Sequence, residues 1–287
     1  MVPSVQPFFH RDSNTWTYVV AEAGGPTAII DPVLDFDIRA GRTSTVSAEA
    51  VLAFVHEHGL DVQWILETHA HADHLSAGDW LRRQLPGARL AIGDGIRTVQ
   101  REFAPIFNLG ADFAVDGSQF DHLWQPDEAF TVGALQARAI GVPGHTDDSC
   151  AYLIGDALFT GDSLFMPDSG TARCDFPGGS ATTLYRSIRQ MYQLPDATRV
   201  FVCHDYGTGG SREVACETTI GEQKRHNIHV RADTVEAEFV QLREARDATL
   251  SIPALMLPAV QVNIRAGALP EAEANSIRYL KVPLDRF

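Results

Sequence analysis

The stretch Thr68-His69-Ala70-His71-Ala72-Asp73-His74 follows the apolar run Val62 to Leu66 and crowds three imidazoles and a carboxylate into one short segment. His69 and His71, two apart in extended chain, point the same way, while Asp73 and His74 turn into the next helix and present a second ligand set beside the first. Neutral imidazole and carboxylate suit zinc, iron and manganese. A solvated loop that caps a helix needs only Asp73. Further ligand types recur downstream in the same setting: Gly144-His145-Thr146 follows a strand-like run, Gly161-Asp162 ends Ala157 to Thr160, and His204-Asp205-Tyr206 ends Val200 to Cys203. Each lies just past the carboxyl end of a strand, which points to a metal centre assembled from distant parts of the chain.

The surrounding chain of 287 residues has an ordinary globular composition, 45% hydrophobic and 21% charged, and a formal net charge of −14. An acidic excess of that size repels phosphate backbones and anionic membrane surfaces, so neither nucleic acid nor membrane is an expected partner. No apolar run approaches the roughly 20 residues that span a bilayer. The N-terminus has neither a basic region before an apolar stretch nor an Arg-rich, acid-poor composition, and a soluble cytoplasmic protein is expected. The cysteines (Cys150, Cys174, Cys203, Cys216) lack CxxC spacing and read as buried small hydrophobes rather than a disulfide framework.

Strand-like runs open the chain at Trp16 to Ala21 and Thr27 to Ile30, joined like a hairpin by Gly24, Gly25 and Pro26 and closed by Asp31-Pro32. A helix is expected from an N-cap at Ser47 to Gly59, others over Asp79 to Leu85 and Ile96 to Phe107, and then a long connection without period from Gly110 to Glu128. Strands resume at Phe130 to Val132, Leu135 to Ile140, Ala151 to Ile154 and Ala157 to Thr160, with Gly155-Asp156 as a two-residue turn. Leu184, Ile188 and Met191 mark a helix, and beyond Thr218 come a charged helical stretch, a helix near Val235 to Ala248 and an apolar tail from Ile252 to Ile264. Each half thus runs from strands to helices, as two packed sheets with helices outside would require.

The sequence resembles the metallo-β-lactamase superfamily, whose HxHxDH, H, D, H order is matched by His69, His71, Asp73, His74, His145, Asp162 and His204 over roughly residues 14 to 206. The resemblance implies an α+β fold, a four-layer αββα sandwich with the metal at one edge of the two sheets. It implies a single domain with a core of about 14–216 and a C-terminal helical extension of about 217–287. Because position 71 is His, the glutamate that marks the flavo-diiron branch is absent. Gly161-Asp162-Ser163-Leu164, Gly170-Thr171-Ala172-Arg173-Cys174-Asp175-Phe176 and His204-Asp205-Tyr206 are similar to the persulfide dioxygenases, in the bacterial β-lactamase-like subgroup without a rhodanese domain. Glyoxalase II enzymes share the Gly-x-x-Arg portion but not the following Asp-Phe, and carry His-Glu-Tyr in place of His-Asp-Tyr.

By ligand count, His69, His71 and His145 would hold one ion, Asp73, His74 and His204 another, and Asp162 would bridge them, as in a dinuclear zinc hydrolase. The dioxygenase resemblance implies instead one Fe(II) per chain on His69, His145 and Asp162, with His71, Asp73, His74, His204 and Asp205 as outer residues or second-ion candidates. Such a two-His, one-carboxylate triad leaves positions open for O2 and a sulfur ligand. The implied reaction takes a low-molecular-weight thiol persulfide, glutathione persulfide foremost, with O2 and water to thiol and sulfite, in sulfur metabolism and hydrogen sulfide detoxification. Arg173 is the candidate for steering an anionic substrate and stabilising oxyanions, with an ion pair to Asp175 as its rival role. Tyr206 is the candidate for a phenol hydrogen bond to substrate, against a buried, satisfied tyrosine. Asp205 is expected to orient a neighbour, Cys174 to be structural, and the chain to form a dimer or tetramer. The alternative is a glyoxalase II type thioesterase with zinc.

Overall fold

A computed structural model describes residues 2–22 and 25–286. The first half runs β1 (Ser4–His10), β2 (Thr15–Ala21), β3 (Pro26–Ile30), β4 (Val33–Asp37), β5 (Arg42–Ser44), α1 (Val46–Glu57), β6 (Asp61–Leu66), β7 (Leu75–Ser76), α2 (Gly78–Gln84), β8 (Arg89–Gly93), α3 (Ile96–Ile106) and β9 (His122–Trp124). The second runs β10 (Glu128–Val132), β11 (Leu135–Gly141), β12 (Cys150–Ile154), β13 (Ala157–Phe159), α4 (Ala181–Met191), β14 (Arg199–Phe201), a single turn α5 (Gly207–Gly210), β15 (Glu217–Thr219), α6 (Ile220–His226), α7 (Glu236–Asp247) and α8 (Met256–Asn263).

Strand alternation separates the apolar residues into three buried layers. One face of the sheet β1-β2-β3-β6-β8-β9 presents Val19, Ile29, Ile65 and Leu90 to Val51 of α1, Leu81 of α2, Phe103 of α3 and Val260 of α8. Its other face presents Val20, Ile30 and Leu66 to Val132, Tyr152, Phe159 and Phe201 of the sheet β10-β11-β12-β13-β14-β15. The outer face of that second sheet packs Ala151, Leu158 and Val200 on Leu184 and Ile188 of α4, Ile220 of α6 and Phe239 of α7. The period of two in the strands thus turns one sequence pattern into helix, sheet, sheet and helix layers. The fold is the expected αββα sandwich. No described helix is long and apolar enough to cross a membrane.

Several local expectations are corrected. The N-cap of α1 is Thr45, and Ser47 lies inside the helix, where its hydroxyl donates to Asp35 Oδ1 at 2.7 Å. The connection from 110 to 128 contains β9, which pairs parallel to β8 as the edge of the first sheet. The sheets reach from Ser4 to Thr219, beyond the expected core at both ends, and the chain after 217 contributes α6 and α7 to one helix layer and α8 to the other. β2 and β3 pair as a hairpin, but the turn expected at Gly24 lies outside the described residues.

Parallel pairing of β3 with β6, of β6 with β8 and of β13 with β14 aligns the carboxyl ends of strands from both sheets. Asp31, the His69 segment, Asp162 and His204 all follow such ends. Gly144 brings His145 to the same edge: it has φ +133°, and a Cβ there would stand 2.2 Å from the Leu184 backbone nitrogen. Gly144→Ala is therefore expected to cost about 1–3 kcal/mol in backbone strain before any overlap is counted. Urea unfolding measures the loss, and a midpoint equal to that of the parent would refute the close-approach argument.

Candidate metal centre

Four separate hydrogen bonds set the tautomers of the imidazoles at this edge. Thr68 Oγ1 donates to Asp31 Oδ2 at 3.0 Å, so it accepts from His69 Nδ1–H, also at 3.0 Å. His145 Nδ1–H donates to the Arg173 carbonyl at 2.7 Å, and His74 Nδ1–H to the Leu75 carbonyl at 3.2 Å. All three rings are left with an Nε2 lone pair. His71 is turned the other way: its Nε2–H donates to Asp31 Oδ1 at 3.0 Å and leaves Nδ1 free. His204 Nδ1 faces Thr15 Oγ1 at 3.3 Å, with Nε2 pointing inward. Tautomers here follow from the hydrogen-bond network.

These lone pairs converge where no protein donor meets them. His69 Nε2, His71 Nδ1, His74 Nε2 and His204 Nε2 are buried without a hydrogen-bond partner among the described residues, as are Asp73 Oδ2 and Asp162 Oδ1. Burying one such group without a partner costs on the order of 1–3 kcal/mol, so a cluster of acceptors calls for a cation. The side chains fall into two groups. His69, His145 and Asp162 place ligand atoms within 4.8 Å of one another, and so do His71, His74, Cys203 and His204. Asp162 spans both: Oδ2 is 3.9 Å from His69 Nε2 and 3.6 Å from His145 Nε2, while Oδ1 is 3.2 Å from His204 Nε2. Asp73 Oδ2 lies 3.3 Å from the same His204 nitrogen. The donor set fits a metal cofactor, and imidazole with carboxylate suits iron, zinc or manganese.

Charge follows from the same packing. Without a metal, the facing Asp162 and Asp73 outweigh burial and raise the His204 pKa to about 10, so a proton takes the place that an ion would hold at its inward nitrogen. Burial likewise opposes charge on His71, and Asp31, Asp73 and Glu67 carry it to about 9. His74, buried beside His71, is lowered to about 3, and His69 is lowered by burial and by His71. Asp162 stays ionised despite burial because His204, His69 and His145 surround it.

A cavity of about 370 Å³ is lined by His145 and Asp162 of the first group and by Asp73, with Arg173, Phe176 and Tyr206 on its wall. Arg173 is ion-paired, Nε and Nη2 donating to the two Asp175 oxygens at 2.6 Å and Nη1 to the Ser251 carbonyl at 2.6 Å, with Phe176 under the guanidinium. Tyr206 is not the buried, satisfied tyrosine: it is 51% exposed, stacked on His204, and its hydroxyl has no partner among the described residues. Asp205 turns away from the imidazoles and accepts from Arg212 and from the Ala215 amide at 2.7 Å. Cys174 is buried, its thiol pushed up to about 12 by burial, as a structural cysteine requires.

Sequence reasoning missed Asp31, Thr68 and Arg212 as parts of this centre. Asp31, at φ +49°, carries His71 on one oxygen and Thr68 on both, and the one available signal was an acid directly after a buried strand. Such an outer carboxylate fixes ring orientation and ligand basicity. Arg212 uses every guanidinium donor: to both oxygens of Asp168, which lines the cavity, to both of Asp205, and to the Glu213 carbonyl.

A β-sandwich that gathers imidazoles and a shared carboxylate at the strand ends defines a class of metal-dependent enzymes. The chain belongs to the metallo-beta-lactamase superfamily, whose family pattern it matches over residues 10–204. It is 53% identical to a beta-lactamase hydrolase-like protein of Agrobacterium fabrum, of whose length it spans 65%, the match covering 99% of this chain. It is 48% identical to glyoxylase B2 of Dictyostelium discoideum over 93% of this chain and 91% of that one. It is 29% identical to the mitochondrial persulfide dioxygenase ETHE1 of Bos taurus, over 70% of this chain and 68% of that one. The crystal structure of ETHE1 from Myxococcus xanthus superposes with a TM-score of 0.72 at 30% identity, covering 93% of this chain and 100% of that one.

Arg212→Leu leaves Asp205, fully buried, without its counter-charge. The expected cost is about 3–5 kcal/mol, and Asp205→Asn in the same chain should restore part of it. Thermal unfolding of both variants checks this, and a double variant no more stable than Arg212→Leu would count against the pairing argument.

Proposed function

We propose that this chain is a persulfide dioxygenase that binds one Fe(II) on His69, His145 and Asp162. The reading rests on one observation: His145 and Asp162, two of the three triad residues, line the cavity, whereas His71, His74 and His204 do not. Likeness to ETHE1 in sequence and in structure supports it. The reaction balances as RSSH + O2 + H2O giving RSH and H2SO3, with sulfur oxidised and O2 reduced. Iron(II) supplies the one-electron chemistry that ground-state O2 needs, which closed-shell Zn2+ lacks.

The chain's own residues provide the rest. Thr68 and the Arg173 carbonyl hold His69 and His145 with Nε2 toward the ligand position, and Asp162 adds the anionic ligand. Phe165, Phe176, Ile228, Leu250 and Pro253 give the cavity an apolar wall that excludes water from the sulfur end of the substrate. The Arg173 guanidinium, pre-oriented by Asp175, sets a fixed positive charge on that wall for a persulfide anion. Tyr206 offers a hydroxyl donor whose partner is the substrate. The cavity volume lies within the range of small-molecule sites, and glutathione persulfide is the proposed substrate.

A second reading, a dinuclear zinc thioesterase of the glyoxalase II type, draws on the way Asp162 spans both groups and on the likeness to glyoxylase B2. Metal content separates the two. Protein purified anaerobically after growth with ample iron is expected to hold about one iron per chain; two zinc ions with thioester hydrolysis would sink the dioxygenase reading. Asp162→Ala should abolish iron binding, while His74→Ala should weaken it by about 10- to 100-fold. Equal loss in both would defeat the mononuclear assignment. Arg173→Met should keep iron yet lose sulfite formation and O2 uptake, with Lys restoring only part because it lacks the planar fork. An Arg173→Met variant with unchanged kinetics removes the residue from the reaction.

A further inference from the structure

We infer that Asn263, the last residue of α8, is a positioning residue of the metal centre: its side-chain amide fixes the backbone between His71 and His74 and so holds those two rings in place beside the ion. The residue is only 4% exposed, and both its amide hydrogens and its oxygen are engaged. Nδ2 donates to the His71 carbonyl at 2.7 Å and to the His74 carbonyl at 2.8 Å, and Oδ1 accepts from the Ser76 amide at 2.8 Å. One planar group, roughly 190 residues along the chain, therefore pins three backbone positions of the segment that carries two imidazoles.

The segment needs such a pin. From Ala70 to His74 the chain is neither helix nor strand, so no ladder satisfies its carbonyls, and buried carbonyls demand a partner. A neutral amide suits the place because donors are required on one side and an acceptor on the other, with no charge added beside the imidazoles. The pin also joins a buried polar chain. Ser76, held by Asn263 through its amide, donates from Oγ to Glu67 Oε1, and Glu67 Oε2 stands 3.9 Å from His71 Nε2. The turn after α8 is pressed against the same segment: a Cβ at Gly267 would lie 2.8 Å from the Ser76 carbonyl. Asn263 lies beyond the residues matched by the family pattern, so a part of the chain outside that pattern completes the centre.

The inference rests on a metal being bound and not on which reaction follows. Asn263→Asp keeps size and the acceptor for Ser76 but replaces both donors; Asn263→Leu removes all three bonds. Val262→Ala, a fully buried neighbour on the same helix with no bond to the segment, controls for lost packing. Each protein is stripped of metal and titrated with Co2+, whose visible absorption reports ligand number and geometry. Both Asn263 variants are expected to bind Co2+ about 10- to 100-fold more weakly with an altered band, while Val262→Ala lowers the Tm yet keeps the parent affinity and spectrum. Parent-like Co2+ binding by Asn263→Asp, or a loss in Val262→Ala that matches the Asn263 variants, would overturn the assignment. Should neither Asn263 variant fold, hydrogen exchange on the parent chain decides: Co2+ should slow exchange of the Ser76 amide, and a rate indifferent to Co2+ refutes the inference.

Discussion

Five imidazole rings and two carboxylates share one edge of the molecule, with His69 and His71 centroids only 4.0 Å apart and His71 and His74 4.2 Å apart. Each ring spends one nitrogen on an anchoring group and turns the other toward a common space. Acceptors packed this way repel one another and lack water, so the arrangement is stable only around positive charge. That requirement explains features that would otherwise be costly: an Asp31 held in left-handed backbone, a glycine that lets His145 approach α4, and an amide reaching in from α8.

The layers exist to deliver those anchors. Strand ends of the first sheet bring Asp31 and the His69 segment; those of the second bring Asp162 and His204. The sheets are tied at the same level by the Tyr18 hydroxyl on the Val202 carbonyl and by the Trp16 amide on the Cys203 carbonyl at 2.7 Å. Relative movement of the sheets would separate Asp162 and His204 from His69 and His71, so the apolar interior between Val20, Ile30, Tyr152 and Phe159 keeps the geometry of the centre rigid.

Much of this was legible in the chain itself. Alternating apolar runs marked most strands, and the histidines and Asp162 stood out because their spacing repeats at strand ends. What stayed hidden was non-local. β9 has three residues and gains its form only by lying against β8, and β1 carries Pro7 on an edge where one partner suffices. Asp31 and Asn263 are single polar residues whose roles depend on groups 40 and 192 positions away. Arg173 carried two possible roles, and its carboxylate partner two residues on holds the guanidinium in place without deciding what else it meets.

The wiring of the centre also orders events during synthesis. Thr15, His71, His145, Asp162, His204 and Asn263 emerge from the ribosome over nearly the whole length of the chain, and the contact from Asn263 back to His71 is among the last to form. Until α8 has been made and docked, the His71 and His74 carbonyls lack the amide that meets them in the finished fold. The histidine segment thus takes its final backbone path only after α8 docks.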